Sequence, residues 1–186
     1  MEQGHHVVTL FGSSSLTTGS AEEALAFQAG RALADAGFWL CNGGYGGAME
    51  ASARGAKEAG GTTIGVVTSF YRHRKPNAWI DRVIEVETMV DRLLKLAAMG
   101  DAYVVLRGGT GTLFELAAVW EMMGKGVMPA KPLVIVGEYW KSLIAPIMDE
   151  LHREGRGPSA DLVFSARNPA ECVAFLIHQL GVSYEA

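Results

Sequence analysis

The sequence predicts an α/β fold. It is Rossmann-like and doubly wound, with a mostly parallel sheet of about seven strands and helices on both faces. Three observations predict it. Short apolar runs alternate with helical patterns along the length of the chain. The runs are continuously apolar, as strands covered on both faces are. Three of them end in loops rich in glycine and serine. In a parallel sheet each such loop lies at the carboxyl edge, where ligands bind.

The elements follow in order. The strand Val7–Phe11 leads into Gly12-Ser13-Ser14-Ser15, then a helix near 20–36. The strand Phe38–Cys41 leads into Gly43-Gly44-Tyr45-Gly46-Gly47 and a helix near 47–59. A third strand, Thr62–Val67, is followed by the least regular segment, Thr68–Ile80, with the basic run Arg72-His73-Arg74-Lys75. Such a run is usually a solvated loop, and it can also reach a phosphate. The strand Arg82–Val86 precedes a helix near 88–99, and Ala102–Leu106 precedes a third glycine loop and a helix near 111–123. Strands Leu133–Val136 and Leu162–Phe164 complete the set, with helices near 138–153 and 169–180. Gly155-Arg156-Gly157-Pro158 reads as a local break. With no linker, repeat or low-complexity tract, residues 1–186 are expected to form one domain.

Composition narrows the function classes. The chain has 186 residues, 49% apolar and 19% charged, so it can bury a sizeable core. A net charge of −4 argues against a nucleic-acid partner. Cys41 and Cys172 sit in apolar contexts with no CxxC spacing, as reduced, buried thiols do. No apolar run approaches the roughly 18 residues that span a bilayer. Met1–His6 carries no basic region or cleavage site, so a cytoplasmic protein with no membrane partner is expected.

The third glycine loop, Arg107-Gly108-Gly109-Thr110-Gly111-Thr112, joins a strand to a helix N-terminus. Free backbone N–H groups and the positive end of the helix dipole point the same way there, which makes an anion site. Gly12, Ser13, Gly43, Gly44, Gly46, Gly47, Gly108, Gly109, Thr110, Gly111 and Thr112 are therefore candidate phosphate- and substrate-binding residues. One glycine loop serves equally well as a tight turn. Three on one edge point to a shared phosphate and sugar site. A dinucleotide fingerprint needs further glycines in the first loop and an acid at the end of the second strand. Serines and Asn42 stand there instead. A P-loop needs Lys after its last glycine, and Gly111 is followed by Thr112 and Leu113. A mononucleotide or another phosphorylated small molecule fits better.

Two charges fall where apolar residues are expected. Glu115 shares a helix face with Ala118, Val119 and Met122. Arg92 lies among Met89, Leu96 and Met99, while Asp91 and Lys95 read as a solvated i, i+4 pair. Arg92 and Glu115 are either partners in a structural ion pair or catalytic groups in one cleft. The histidines His5, His6, His73, His152 and His178 show no metal-ligand spacing, so no metal site is expected. Glu50 and Arg54 read as a structural helix pair.

Gly108-Gly109-Thr110-Gly111-Thr112-Leu113-Phe114-Glu115 resembles the GGxGTxxE signature of the Lonely Guy family, and the loops at Gly12 and Gly43 are similar to that family's other loops. The resemblance runs from about Val7 to Val136. It implies a Rossmann-like homo-oligomer, a dimer or a tetramer, with phosphoribohydrolase activity. Such an enzyme cleaves the N-glycosidic bond of a nucleoside 5′-monophosphate, of AMP or cytokinin type, to free base and ribose 5-phosphate. It implies Glu115 as the catalytic glutamate, Arg92 as the arginine of a second Met-His-x-Arg-Lys signature, and no cofactor. Three positions depart from the family pattern: Val90 and Leu93 replace the His and Lys, and Arg107 replaces a proline and adds a cation beside the phosphate loop. Gly-Gly-Tyr-Gly-Gly-Ala-Met-Glu from Gly43 to Glu50 also resembles a related branch, the molybdenum-cofactor carriers, which implies a non-catalytic alternative. The lysine decarboxylase label often given to such proteins finds no support, since no lysine sits in a glycine loop.

Overall fold

The computed structural model describes residues 5–182; residues 1–4 and 183–186, and the reading of the chain start at Met1–Gly4, lie outside the described residues. The elements in order are β1 (Val7–Phe11), α1 (Ala21–Asp35), β2 (Trp39–Asn42), α2 (Ala48–Glu58), β3 (Thr63–Thr68), β4 (Arg82–Val86), α3 (Met89–Met99), β5 (Ala102–Val105), α4 (Thr110–Gly124), β6 (Leu133–Val136), α5 (Lys141–Arg153), α6 (Gly157–Ala160), β7 (Val163–Ala166) and α7 (Pro169–Leu180). The seven strands form one sheet in the order β4-β3-β2-β1-β5-β6-β7. Every pairing is parallel.

Side chains alternate between two covered faces, which accounts for the continuous apolar runs. Val8, Leu10, Leu40, Val104 and Val134 face one core, closed by Leu33 of α1, Ala51 of α2 and Leu176 of α7. Phe11, Cys41, Tyr103, Val105 and Ile135 face the other, closed by Leu96 of α3, Leu116 and Trp120 of α4 and Ile144 of α5. Both cysteines are buried, and burial pushes each thiol up to about 12.

Local chemistry sets the helix starts. Ser20 caps α1 by accepting from the Glu23 N–H, and Asn168 caps α7 by accepting from the Glu171 N–H. Thr88 and Asp91 close a capping box at α3, so Asp91 is a capping residue instead of the Lys95 partner that the spacing suggested. Arg54 likewise meets Glu23 at 3.5 Å instead of Glu50, because α1 and α2 pack side by side. Gly155–Pro158 is more than a break. Pro158 stands in the first turn of the short α6, and Trp120 Nε1 donates to Ser159 O at 2.6 Å, which fastens that turn to α4. The second strand begins one residue later than its composition suggests, since the Phe38 N–H bonds Leu33 O at the end of α1.

The strand order reverses at β1. The chain winds from β1 to β4 on one side, then returns to β5 on the other. Ligand clefts form outside the strand ends at such a switch point. The return passes through α3, which crosses the sheet against β3, β2 and β1.

Candidate functional site

A cleft of about 310 Å³ opens at this switch point. Its floor is Gly12–Ser15 after β1 and Gly109–Thr112 at the start of α4; its walls carry Gly43, Tyr45, Arg92 and Glu115. Helix α4 begins there on Gly109 and α2 behind the wall on Gly47; like α5 and α6, and unlike α1, α3 and α7, neither has a capping side chain. The first-turn N–H groups of a helix have no intrahelical partner. At α4 those belong to Thr110, Gly111 and Thr112, all at the cleft surface. An anion seated there would meet both the donors and the helix dipole.

The glycines divide into two sets. Gly12, Gly43, Gly109 and Gly111 line the cleft, with Ser13, Thr110 and Thr112. A Cβ on Gly109 or Gly111 would meet only open space, so these two keep the floor low. Gly44, Gly46, Gly47 and Gly108 are not among the lining residues and act behind the wall. Gly47 adopts φ +69°, and a side chain there would run into Ser13 O, which accepts from the Ala48 N–H at 2.8 Å. That contact ties the first glycine loop to the start of α2. Asn42, fully buried, holds the second loop: its Oδ1 accepts from the Gly44 N–H at 2.8 Å and its Nδ2 donates to Met49 O at 2.9 Å. The residue that occupies the dinucleotide-acid position is thus committed to a turn.

Arg92 and Glu115 meet in the cleft. Arg92 Nη1 lies 3.6 Å from Glu115 Oε1, with the side chains 14% and 17% exposed. That separation is longer than a charge-assisted hydrogen bond of about 2.8 Å, so the pair is close without being locked. Three further contacts fix the guanidinium. Nε donates to Val66 O at 2.8 Å, Nη2 reaches Met49 Sδ at 3.6 Å, and the group lies 5.5 Å from the Tyr45 ring centre. The Tyr45 hydroxyl is itself held, accepting from the Thr68 N–H at 2.9 Å and donating to Thr68 O at 3.1 Å. Burial lifts the Glu115 carboxyl to about 7, against the downward pull of Arg92. A carboxyl in that range is half-ionised at neutral pH and can take up or release a proton, the property acid–base catalysis needs.

Some sequence-level readings move. Arg107 does not line this cleft: it stands in an adjoining cavity with Ser13, Ser15 and Gly108, pairs with Glu22 at 3.0 Å and lies 4.8 Å from the Tyr139 ring centre. Of the basic run after β3, Arg74 alone reaches the cleft wall. Tyr45, Met49, Tyr71, Met89 and Phe114 line the cleft too; Tyr45, Met49 and Met89 lie within the motifs read from sequence, but none of the five is among its candidate site residues. Tyr45 had a signal, an aromatic set among four glycines. Phe114, 52% exposed beside a buried Thr112, had none at the level of pattern.

The chain is 37% identical over 114 residues to the cytokinin riboside 5′-monophosphate phosphoribohydrolase of Mycobacterium tuberculosis, a match covering 60% of each chain. It is 32% identical over 148 residues to the enzyme of that name from Rhodococcoides fascians, covering 75% of this chain and 73% of the relative. The chain therefore spans less than two thirds of the first relative's length and more than two thirds of the second's. Among solved structures, the molybdenum cofactor carrier protein of Chlamydomonas reinhardtii superposes with a TM-score of 0.75 at 25% identity, over 96% of this chain and 99% of that one. The family model described as SLOG cluster4 matches residues 5–154, from the first strand through the helix after β6 and so across the whole cleft, and the chain belongs to that family.

Proposed function

We propose that the protein is a nucleoside 5′-monophosphate phosphoribohydrolase. The observation that carries this reading is the position of Glu115. Its carboxyl, lifted to about 7, stands one turn into α4, whose uncapped N-terminus faces the same cleft. A 5′-phosphate on Thr110–Thr112 puts the ribose within reach of Glu115. As the C1′–N bond breaks, its electrons leave with the base and positive charge grows at C1′ and the ring oxygen. The Glu115 carboxylate stabilises that charge and takes a proton from the water that bonds to C1′. The proton passes on to the departing base, so one water is consumed. Arg92 holds Glu115 in place and pairs with ligand oxygens. The names of the two curated relatives support the same chemistry.

The reading includes self-association as a homo-oligomer. Val90 and Leu94, one turn apart on α3, are 56% and 49% exposed, and Phe114 on the cleft wall is 52% exposed; such exposed apolar side chains suit a second copy. Light scattering tests this, and a mass of one chain across the micromolar range would end it.

Release of ribose 5-phosphate from AMP, GMP and a cytokinin nucleotide tests the activity, with Glu115→Gln as control. The wild type is expected to release product and the variant to lose at least about 100-fold while still binding nucleotide. Equal rates would end the mechanism. The likeness to the Chlamydomonas carrier favours one other reading, a carrier of a phosphorylated pterin, which would leave every nucleotide intact and bring a fluorescent ligand through purification.

A further inference from the structure

The two ends of the cleft differ in chemistry. Its loops follow the strand order β5, β1, β2, β3, so the loop after β3 lies three strands from the anion site. At about 4.8 Å per strand that is roughly 14 Å, a distance that an extended nucleotide and a long side chain cover together. Arg92 and Glu115 lie between the two ends. With the phosphate on α4 and C1′ near Glu115, the base points toward Tyr71 and Arg74.

Arg74 is the charged group at that end. Its guanidinium lies 5.3 Å from the Tyr71 ring centre, and its backbone N–H bonds Tyr71 O at 2.8 Å. Tyr71 is set in turn by Tyr45, edge-on at 5.7 Å, and by Met89 Sδ, which accepts from its hydroxyl at 3.5 Å. Among the described residues no carboxylate stands within ion-pair range of Arg74. The other two charged groups lining the cleft, Arg92 and Glu115, face one another. The far end of the cleft thus carries a planar fork of five donors and no carboxylate acceptor.

A base that suits this end presents acceptors. Guanine and hypoxanthine offer O6 and N7 side by side, a match for a bidentate arginine. Adenine offers N7 beside an amino donor, which faces a group that cannot accept. Resting on the hydrolase reading above, we propose that the site selects 6-oxopurine nucleotides, GMP and IMP, over AMP. Arg74 donates to O6 and N7, and Tyr71 holds the guanidinium in place.

The test measures kcat/KM for GMP, IMP and AMP, and equilibrium binding of GMP and AMP by calorimetry. The proteins are wild type, Arg74→Gln and Arg74→Lys, each checked for an unchanged melting temperature. The wild type is expected to favour GMP and IMP at least about fivefold, the lower end of what one bidentate pair supplies. That ratio falls to below about twofold in Arg74→Gln. Arg74→Lys also loses most of it, because an ammonium is a single point of contact. If no nucleotide is hydrolysed but GMP binds more tightly than AMP through Arg74, the hydrolase reading falls and the base selection stands. Equal or tighter handling of AMP, a preference that survives both substitutions, or no nucleotide binding at all would overturn the inference.

Discussion

The guanidinium of Arg92 occupies the space that a side chain on Gly43 would fill. A Cβ at Gly43 would fall within bonding distance of Arg92 Nη2 and would press on Met49 Sδ as well. The glycine after β2 is there to let a cation from α3 lie against the backbone and reach Glu115 on α4. The loop after β2 and the helices α3 and α4 thereby meet at one point.

Gly43→Ala is expected to push Arg92 out of place. Misplacement of a positioning group by about 1 Å costs on the order of 100-fold in rate, so a loss of that size in kcat/KM is expected. Thermal unfolding should change little by comparison, since Arg92 can swing toward the cleft. A variant that keeps full activity would show that the Arg92 position is irrelevant to turnover.

The rate should follow the ionisation of Glu115. With its carboxyl near 7 in the free protein and the carboxylate as the working form, kcat/KM rises about tenfold per pH unit below 7 and levels off above it. Arg92 pulls that carboxyl down, so Arg92→Gln should move the limb to higher pH as well as slow the reaction. A limb that stays in place would belong to the substrate phosphate instead.

The same carboxyl carries a stability cost with a definite sign. Folding raises Glu115 from 4.5 to about 7, so the folded state holds its proton more tightly than the unfolded chain does. Its contribution is fully present below pH 4.5 and is lost as pH rises through 7, a change of up to about 3 kcal/mol. Glu115→Gln does not titrate. Its melting temperature, relative to wild type, should therefore climb by several degrees between pH 5 and pH 8. A difference that is flat with pH would mean that Glu115 titrates alike in both states.

Much of this was legible in the chain itself. The strand at Ala102, the glycines at 108–111 and the apolar stripe of α4 are local patterns, and they locate one strand–turn–helix unit whose turn lines the cleft. Arg92 and Glu115 stood out for a local reason too, as charges on apolar helix faces. Their meeting at 3.6 Å did not. It depends on α3 crossing three strands on its way from the sheet edge to β5, a path that no window of sequence contains. The same limit explains Arg107. Beside the glycines it reads as a cation next to the loop, and its partner there, Glu22 on α1, is 85 residues away in the chain.

Sequence by itself thus determined the layers of this protein, the edge of the sheet where the cleft lies and the two charges that meet there. Periodicity, turn chemistry and helix capping act over a few residues, and a reader of the chain can sum them. Tertiary structure alone decided which glycines line the cleft and which only let loops touch. It also decided that Asn42 serves a turn, and that Arg74 and Tyr71 line the same cleft as Gly109–Thr112. Those outcomes follow from close packing across strands distant in the chain, where a single Cβ or a helix crossing sets which side chains meet.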